Sequence, residues 1–463
     1  MLKLPRLTLL SLAVCALLSA CAITQVAPPA PQDAPARFKE SAGPDAATMQ
    51  NVPDAWWTLF QDPVLDDLER RVVIGNESIK SSQAQLASAQ AVLGASRSAT
   101  GPTLSANLNG TRTANAQSTA AENPSNSVSL TATASWEVDL WGRLSMATQG
   151  AEASLNASQA DLAAARLSVQ AAVAQNYFSL RAAEAQQALL ERNVQAYQRA
   201  LELTRVRYNS GVVGLTDVLQ AQTQLSSVQT QLADMQAQRA QLEHTLAVLL
   251  GEAPAVFSIA PTATLPQAVA VPALLPSTLL ERRPDIAAAR ERVKAAYAQI
   301  GVTDAALFPT LNLSATAGYS QSSIANLLST PNLLWSLGAS LGQSILDGGS
   351  RQLASAQART SADQVTSSYR QLVLTALQEV EDNLVLSARL SDEVQSQTLA
   401  LQAAQRNLEI VMEQYRAGTV SYLNVSSAQS SALSSEATLV SVRNRQLIAI
   451  NTLLKNIAGR WQM

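Results

Sequence analysis

The chain has 463 residues, with 32 basic and 35 acidic side chains, one histidine and two cysteines, for a formal net charge of −3. That balance excludes the basic footprint of a nucleic-acid-binding protein. So few histidines and cysteines exclude a zinc cluster, a Cys-His or Ser-His-Asp nucleophile set and a disulfide framework.

The first residues read MLKLPRLTLLSLAVCALLSAC: Lys3 and Arg6 precede a mostly apolar stretch, Leu7 to Leu18, and then small residues. This is an export signal over residues 1–20 and not part of the fold. Its end, Leu18-Ser19-Ala20-Cys21, resembles a bacterial lipobox, in which Cys21 carries N-acyl and diacylglycerol lipid and becomes the first mature residue. An ordinary cleavage site with a chance cysteine is the alternative. In the lipobox reading, Ala22 in place of an aspartate directs the chain to the outer membrane. Cys15 lies in the removed segment, so one thiol remains, and loss of Lys3 and Arg6 brings the mature charge to about −5. The mature chain has no run of 18 apolar residues, so no helix crosses a bilayer and membrane entry beyond the lipid requires strands.

Residues 21–75 form a Pro/Ala-rich extended segment followed by a short helix. Ser78 to Ala99 reads as a helix, and Leu104 to Gly110 as a short alternating strand. Val128 to Leu140, VSLTATASWEVDL, alternates for thirteen residues between apolar and polar positions, which specifies a strand with one apolar and one polar face. No proline occurs between 125 and 253, and Arg143 to Tyr208 is dominated by strong helix formers, so about 66 residues form a helix about 100 Å long. Glycines at 211 and 214 break it, and Thr216 to Leu250 returns. A Pro-rich connector follows over 251–282. A helix over Ile286 to Ala306, strands at Leu311 to Ser320 and Trp335 to Ile345, and helices over Arg351 to Tyr415 and Tyr422 to Ile457 then repeat the order. Residues 459–463 are a tail.

An offset of 207 aligns the two halves without a gap. Ile79 falls on Ile286, Gly94 on Gly301, Pro102-Thr103-Leu104 on Pro309-Thr310-Leu311, Asn176 on Asn383, Gly211 on Gly418 and Ala221-Gln222 on Ala428-Gln429. Two structural copies are expected, 76–250 and 283–458, each a strand pair (101–141 and 308–347) feeding a helical hairpin (142–250 and 349–458). A coiled-coil rod would account for the helices but has no use for the strands.

The fold class expected is a mixed α+β membrane protein. The strands are near the length that crosses a bilayer when tilted, whereas a soluble sheet with one wet face is the competing reading. Four strands cannot close, and an open edge in lipid leaves backbone groups unpaired at several kcal/mol each. Two chains would give an eight-stranded barrel filled by its own side chains. Three give twelve strands with a lumen, so a channel favours the trimer. The segments 113–126 and 321–330 are then extracellular turns. His244 is a lone packing or surface residue, and no G-x-x-x-x-G-K-[ST] cradle occurs, so neither a catalytic nor an ATP-driven role is expected.

Together, the lipobox at Cys21, WWTLFQDPVLDDL (Trp56 to Leu68), LLERRPDI (Leu279 to Ile286), FPTLNLSA (Phe308 to Ala315) and the paired Tyr-x-x-Gly turns at Tyr208 and Tyr415 resemble the TolC family of outer-membrane efflux proteins. The likeness is to its lipid-anchored, NodT-like members serving resistance-nodulation-division (RND) pumps, and it covers nearly the whole mature chain. It implies a homotrimer with a twelve-stranded barrel in the outer membrane of a Gram-negative bacterium and a periplasmic tunnel of twelve helices. An adaptor protein would dock on the hairpin tips and couple the duct to an inner-membrane RND pump, for export of drugs and toxic small molecules. A type I protein-secretion duct, or a lipoprotein scaffold without a pore, are the alternatives.

By resemblance, Ser210, Gly211, Val212, Ala417, Gly418 and Thr419 are adaptor contacts, besides turning the chain. Asp217 faces the second hairpin and holds the iris shut, with Tyr415 as its hydrogen-bond partner. The family often places an arginine near the second tip and acidic residues around the aperture, where this chain has Val420, Asn424 and Ser427. Closure is therefore expected to use neutral hydrogen bonds and tip packing, with Asp217, Tyr415, Asn424 and Ser427 as gate residues and weak block by multivalent cations.

Overall fold

A computed structural model describes residues 27–29, 35, 38–40, 53–114, 124–269 and 282–457. Cys21, most of the Pro/Ala segment, residues 115–123 of the first turn, residues 270–281 of the connector and the C-terminal tail lie outside them.

A 3-10 turn at Trp56–Phe60 leads into α1 (Pro63–Gly75). Asp62 starts this helix: its carboxylate accepts from the backbone N–H groups of Val64 and Leu65 at 2.9 and 3.3 Å, and Pro63 supplies a first-turn residue with no donor to lose. Helix α2 (Glu77–Ser98), strands β1 (Thr103–Thr113) and β2 (Ser125–Val138), and helices α3 (Arg143–Asn209) and α4 (Leu215–Leu250) follow. After the connector come α5 (Pro284–Ala305), β3 (Thr310–Gln321), β4 (Leu333–Gly342), α6 (Ser350–Ala417) and α7 (Tyr422–Ile457).

β1 runs on to Thr113 and β2 starts at Ser125, inside the expected 113–126 turn, whereas two strands stop short of the alternation pattern. β2 stops at Val138, because Asp139 turns out of the ladder to accept from the N–H groups of Leu144 and Ser145, opening α3. β4 stops at Gly342, opposite Thr310; the preceding Pro309 has no N–H to continue the ladder, so Ile345 is left outside it. Asp347 instead accepts from the N–H groups of Gly349 and Arg351 at the start of α6.

The four strands form one antiparallel sheet in the order β1-β2-β3-β4. Its register carries the alternation across every strand. Leu104 pairs with Ala134, which pairs with Ala315, which pairs with Leu337; Leu108 pairs with Leu130, and Leu130 with Tyr319. The apolar positions share one face, apart from Leu334 near the start of β4, and the serines, threonines and most asparagines share the other. Among the described residues nothing covers the apolar face: Leu104, Trp335 and Leu337 are 78, 72 and 76% exposed. β1 and β4 each have one unpaired edge.

The chain divides into two compact units, one built mainly from Gln85–Gln159 and Ala288–Arg370, the other mainly from Ala160–Ala287 and Gln371–Met463. The first contains the sheet. At its helix end Trp141 stacks on Phe308 with ring centroids 5.0 Å apart and donates its indole N–H to the Pro309 carbonyl.

In the second unit, Trp56 is fully buried and donates to Asn451 Oδ1 at 3.0 Å, while the Asn451 amide donates to the Ala171 carbonyl. Phe60 packs on Phe178, and the Tyr177 hydroxyl donates to Asp62 at 2.5 Å, so one aspartate both caps α1 and ties it to α3. Over its described residues, 251–269, the connector has no regular structure to satisfy its backbone, and buried and half-buried helix charges do so instead. Glu184 and Glu243 accept from the N–H groups of Thr262 and Ile259, while Arg181 and Arg239 donate to the carbonyls of Ala260 and Ile259. Arg181 and Arg239 both pair with Glu184, at 2.6 and 3.1 Å. His244 is exposed.

Glu69 on α1 is fully buried with neither carboxyl oxygen hydrogen-bonded, and burial, reinforced by Asp66, pushes its pKa up to about 9. An acid whose pKa is raised on folding lowers stability as pH rises from the unfolded value to the folded one, here between about 4.5 and 9. Glu69→Gln is expected to raise the melting temperature of the detergent-solubilised protein by about 3–6 °C at pH 8 and to leave it unchanged near pH 4. A gain of the same size at both pH values would refute the ionisation argument.

Candidate functional site: the hairpin tips and the sheet

Both long hairpins turn by the same motif. At the end of α3, Gly211 adopts φ +73°; its N–H donates to Tyr208 O at 2.9 Å, and the Val212 N–H donates to Arg207 O at 2.9 Å. At the end of α6, Gly418 adopts φ +79°; its N–H donates to Tyr415 O and the Thr419 N–H to Gln414 O, both at 3.0 Å. The paired six-to-one and five-to-two bonds are the Schellman arrangement, which requires a left-handed residue at the turn, so glycine is needed at 211 and 418. Ser210, Gly211, Val212, Ala417, Gly418 and Thr419 are all exposed. The first tip adds exposed Val206, Leu215 and Leu219, and the second adds exposed Leu423.

Behind the tips lies a core built from both hairpins, with Tyr197, Leu201, Ala221, Leu225, Tyr415, Tyr422 and Val425 among its buried members. Tyr415 is only 1% exposed and meets Tyr422 edge-on, with ring centroids 5.8 Å apart. Within the chain the Tyr415 hydroxyl bonds the Thr204 hydroxyl at 3.2 Å, not Asp217. Asp217 sits half-buried in the first turn of α4, where its N–H closes onto Gly214 O and its charge favours the helix N-terminus. Asn424 and Ser427 are exposed on the first two turns of α7.

Arg207, in the last turn of α3, was not among the residues singled out in the sequence. Its guanidinium lies over the Tyr415 ring, 4.6 Å from the centroid, and donates a short hydrogen bond to the Tyr415 carbonyl. One arginine from the first hairpin therefore grips the turn of the second through both ring and backbone. Val420, at the position where the family often has arginine, is half-buried against the tip core.

A sheet of membrane-length strands with an uncovered apolar face, feeding two hairpins of 67- and 68-residue helices, is the fold of outer-membrane channel proteins. The solved outer-membrane channel OprN matches it with a TM-score of 0.87 at 27% identity, over 95% of this chain and 100% of that one. The chain belongs to the outer membrane efflux protein family, whose profile matches residues 70–252 and 275–459. It is 30% identical to the pyoverdine export outer membrane protein OpmQ of Pseudomonas aeruginosa, over 97% of this chain and 96% of that protein. It is 31% identical to the probable efflux pump outer membrane protein TtgC of Pseudomonas putida, over 98 and 96%. The chain is an outer-membrane channel component of efflux; its relatives are transport proteins rather than enzymes.

Proposed function

We propose that the chain is the exit duct of a tripartite efflux system: a homotrimer, lipid-anchored at Cys21 in the outer membrane, that passes drugs and toxic small molecules outward. The observation that carries this reading is the sheet. Its apolar face is uncovered and both edges are open, and joining β4 of one chain to β1 of the next satisfies both needs at once. Three chains give twelve strands and a lumen. The four helices of the two hairpins then supply twelve to a periplasmic tunnel.

Two structural copies support the symmetry of such a mouth. At the 207-residue offset, Asn76 aligns with Arg283 and Leu249 with Asn456. The Asn76 amide donates to Leu249 O at 2.7 Å, and Arg283 donates to Asn456 Oδ1 at 3.2 Å, so the same corner closes in each copy by different chemistry. Asn176 and Asn383, also aligned, each donate back to the carbonyl four residues earlier.

The tips, with Ser210 to Val212 and Ala417 to Thr419 exposed, are the docking surface for a periplasmic adaptor coupled to an RND pump. Tyr415 with Arg207 and Asp217 forms the latch, and Asn424 and Ser427 border the aperture. The aperture-facing polar groups Asn424 and Ser427 are neutral, so a trivalent cation added from the periplasmic side is expected to block weakly.

The reading predicts heat-stable trimers in detergent that conduct ions in planar bilayers, and a deletion strain hypersensitive to a panel of toxic compounds. Monomers, or trimers without conductance, would overturn it in favour of a scaffold.

A further inference from the structure

The face of the sheet opposite the apolar one has an unusual composition for a passage wall. Its positions are hydroxyl, amide or glycine from Thr103 to Thr111 on β1, from Ser125 to Ser135 on β2 and from Thr310 to Ser320 on β3; β4 adds serine and glycine, with Leu334 near its start. Among the described strand residues the one ionisable group on this face is Glu137, and Arg143 neutralises it with bonds to both carboxylate oxygens at 2.8 Å. Arg112 falls on the other face, beyond the apolar band.

The hydroxyls are also engaged with the sheet itself. Thr103 bonds Ser135 at 2.9 Å, Thr133 bonds Thr316 at 3.3 Å, and Ser105 donates to the Thr133 carbonyl at 3.3 Å. These contacts tie part of the hydroxyl face to the sheet, and a wall without net charge creates no field that concentrates either ion sign.

We infer that the strand-lined stretch of the duct is an unselective neutral wall, admitting cationic, anionic and uncharged small solutes alike, so that discrimination by charge is absent where the path crosses the outer membrane. This inference rests on the trimeric duct proposed above, in which the polar face lines the lumen.

The test is the reversal potential of the full-length trimer in a planar bilayer under a tenfold KCl gradient. The parent is expected to show potassium and chloride permeabilities within about twofold of each other. Asn107 and its cross-strand partner Thr131 lie mid-sheet on the polar face. Asn107→Asp places three carboxylates around the lumen and is expected to shift the ratio toward potassium by about fivefold, and Asn107→Lys toward chloride by a similar factor. Thr131→Asp and Thr131→Lys give the same comparison where the Asn107 variants fail to assemble.

A parent that discriminates more than about tenfold, or conducting variants whose ratio does not move, would overturn the neutral wall. Trimers that form but never conduct would overturn the duct itself, which separates the two failures.

Discussion

Replacing Arg207 by alanine is expected to raise the open probability of the reconstituted channel by at least about tenfold, since each 1.4 kcal/mol removed from a closed state is a factor of ten. The guanidinium makes two contacts across the hairpins, one with the Tyr415 ring and one with its carbonyl. A cation over an aromatic ring contributes about 0.5–2 kcal/mol, and a hydrogen bond from a charged donor about 1.5–3. A trimer holds three such grips. Arg207→Lys keeps the charge but loses the planar fork that serves ring and carbonyl together, so it is expected to fall between parent and alanine. Tyr415→Phe removes only the 3.2 Å bond to Thr204 and is expected to have the smallest effect. Single-channel recordings order the three variants. Equal open probability in parent and Arg207→Ala, with trimers intact in detergent, would remove Arg207 from the latch.

Position 207 shows where sequence reading stops. The turn itself was legible, because glycine at 211 and 418 after a long helical run marks the left-handed residue that ends a helix. The strands were legible because alternation and register agree over most of their length. Arg207, however, reads in the sequence as a basic residue in the last turn of a helix, where the macrodipole favours any cation. Its target lies 208 residues away, and its counterpart in the second copy is Gln414, so the repeat itself gives no hint of a shared task. The same holds for Arg181, Glu184, Arg239 and Glu243. Their spacings of three and four along α3 and α4 match ordinary exposed helix pairs. What buries them is the connector, whose irregular backbone needs donors and acceptors that no periodicity can announce.

The largest loss of stability is expected from Gly75→Ala, at the corner where α1 meets the end of α4. A Cβ there would stand 2.0 Å from the Leu250 carbonyl oxygen, and one on Gly251 would stand 2.2 Å from the Gly75 oxygen. The two backbones touch, so relief requires moving a helix end and not a side chain. The surroundings resist that movement: Asn76 donates to Leu249 O and accepts from the Ile79 N–H, and Arg71 reaches Glu252 at 2.5 Å. Gly251 is further held at φ +73° by the bonds that end α4. Overpacking of this kind costs about 3 kcal/mol, and a melting temperature about 3–6 °C lower is expected. Gly94 supplies the contrast. It lies inside α2 with open space around the Cβ position, so Gly94→Ala is expected to be neutral or to stabilise by up to about 1 kcal/mol through helix propensity. If both variants melt with the parent, the corner is free to open and the contact between α1 and α4 does not fix it. If only Gly75→Ala is lost, the corner is rigid, and the Arg283–Asn456 contact at the aligned positions of the second copy becomes the next site to test, by Arg283→Ala.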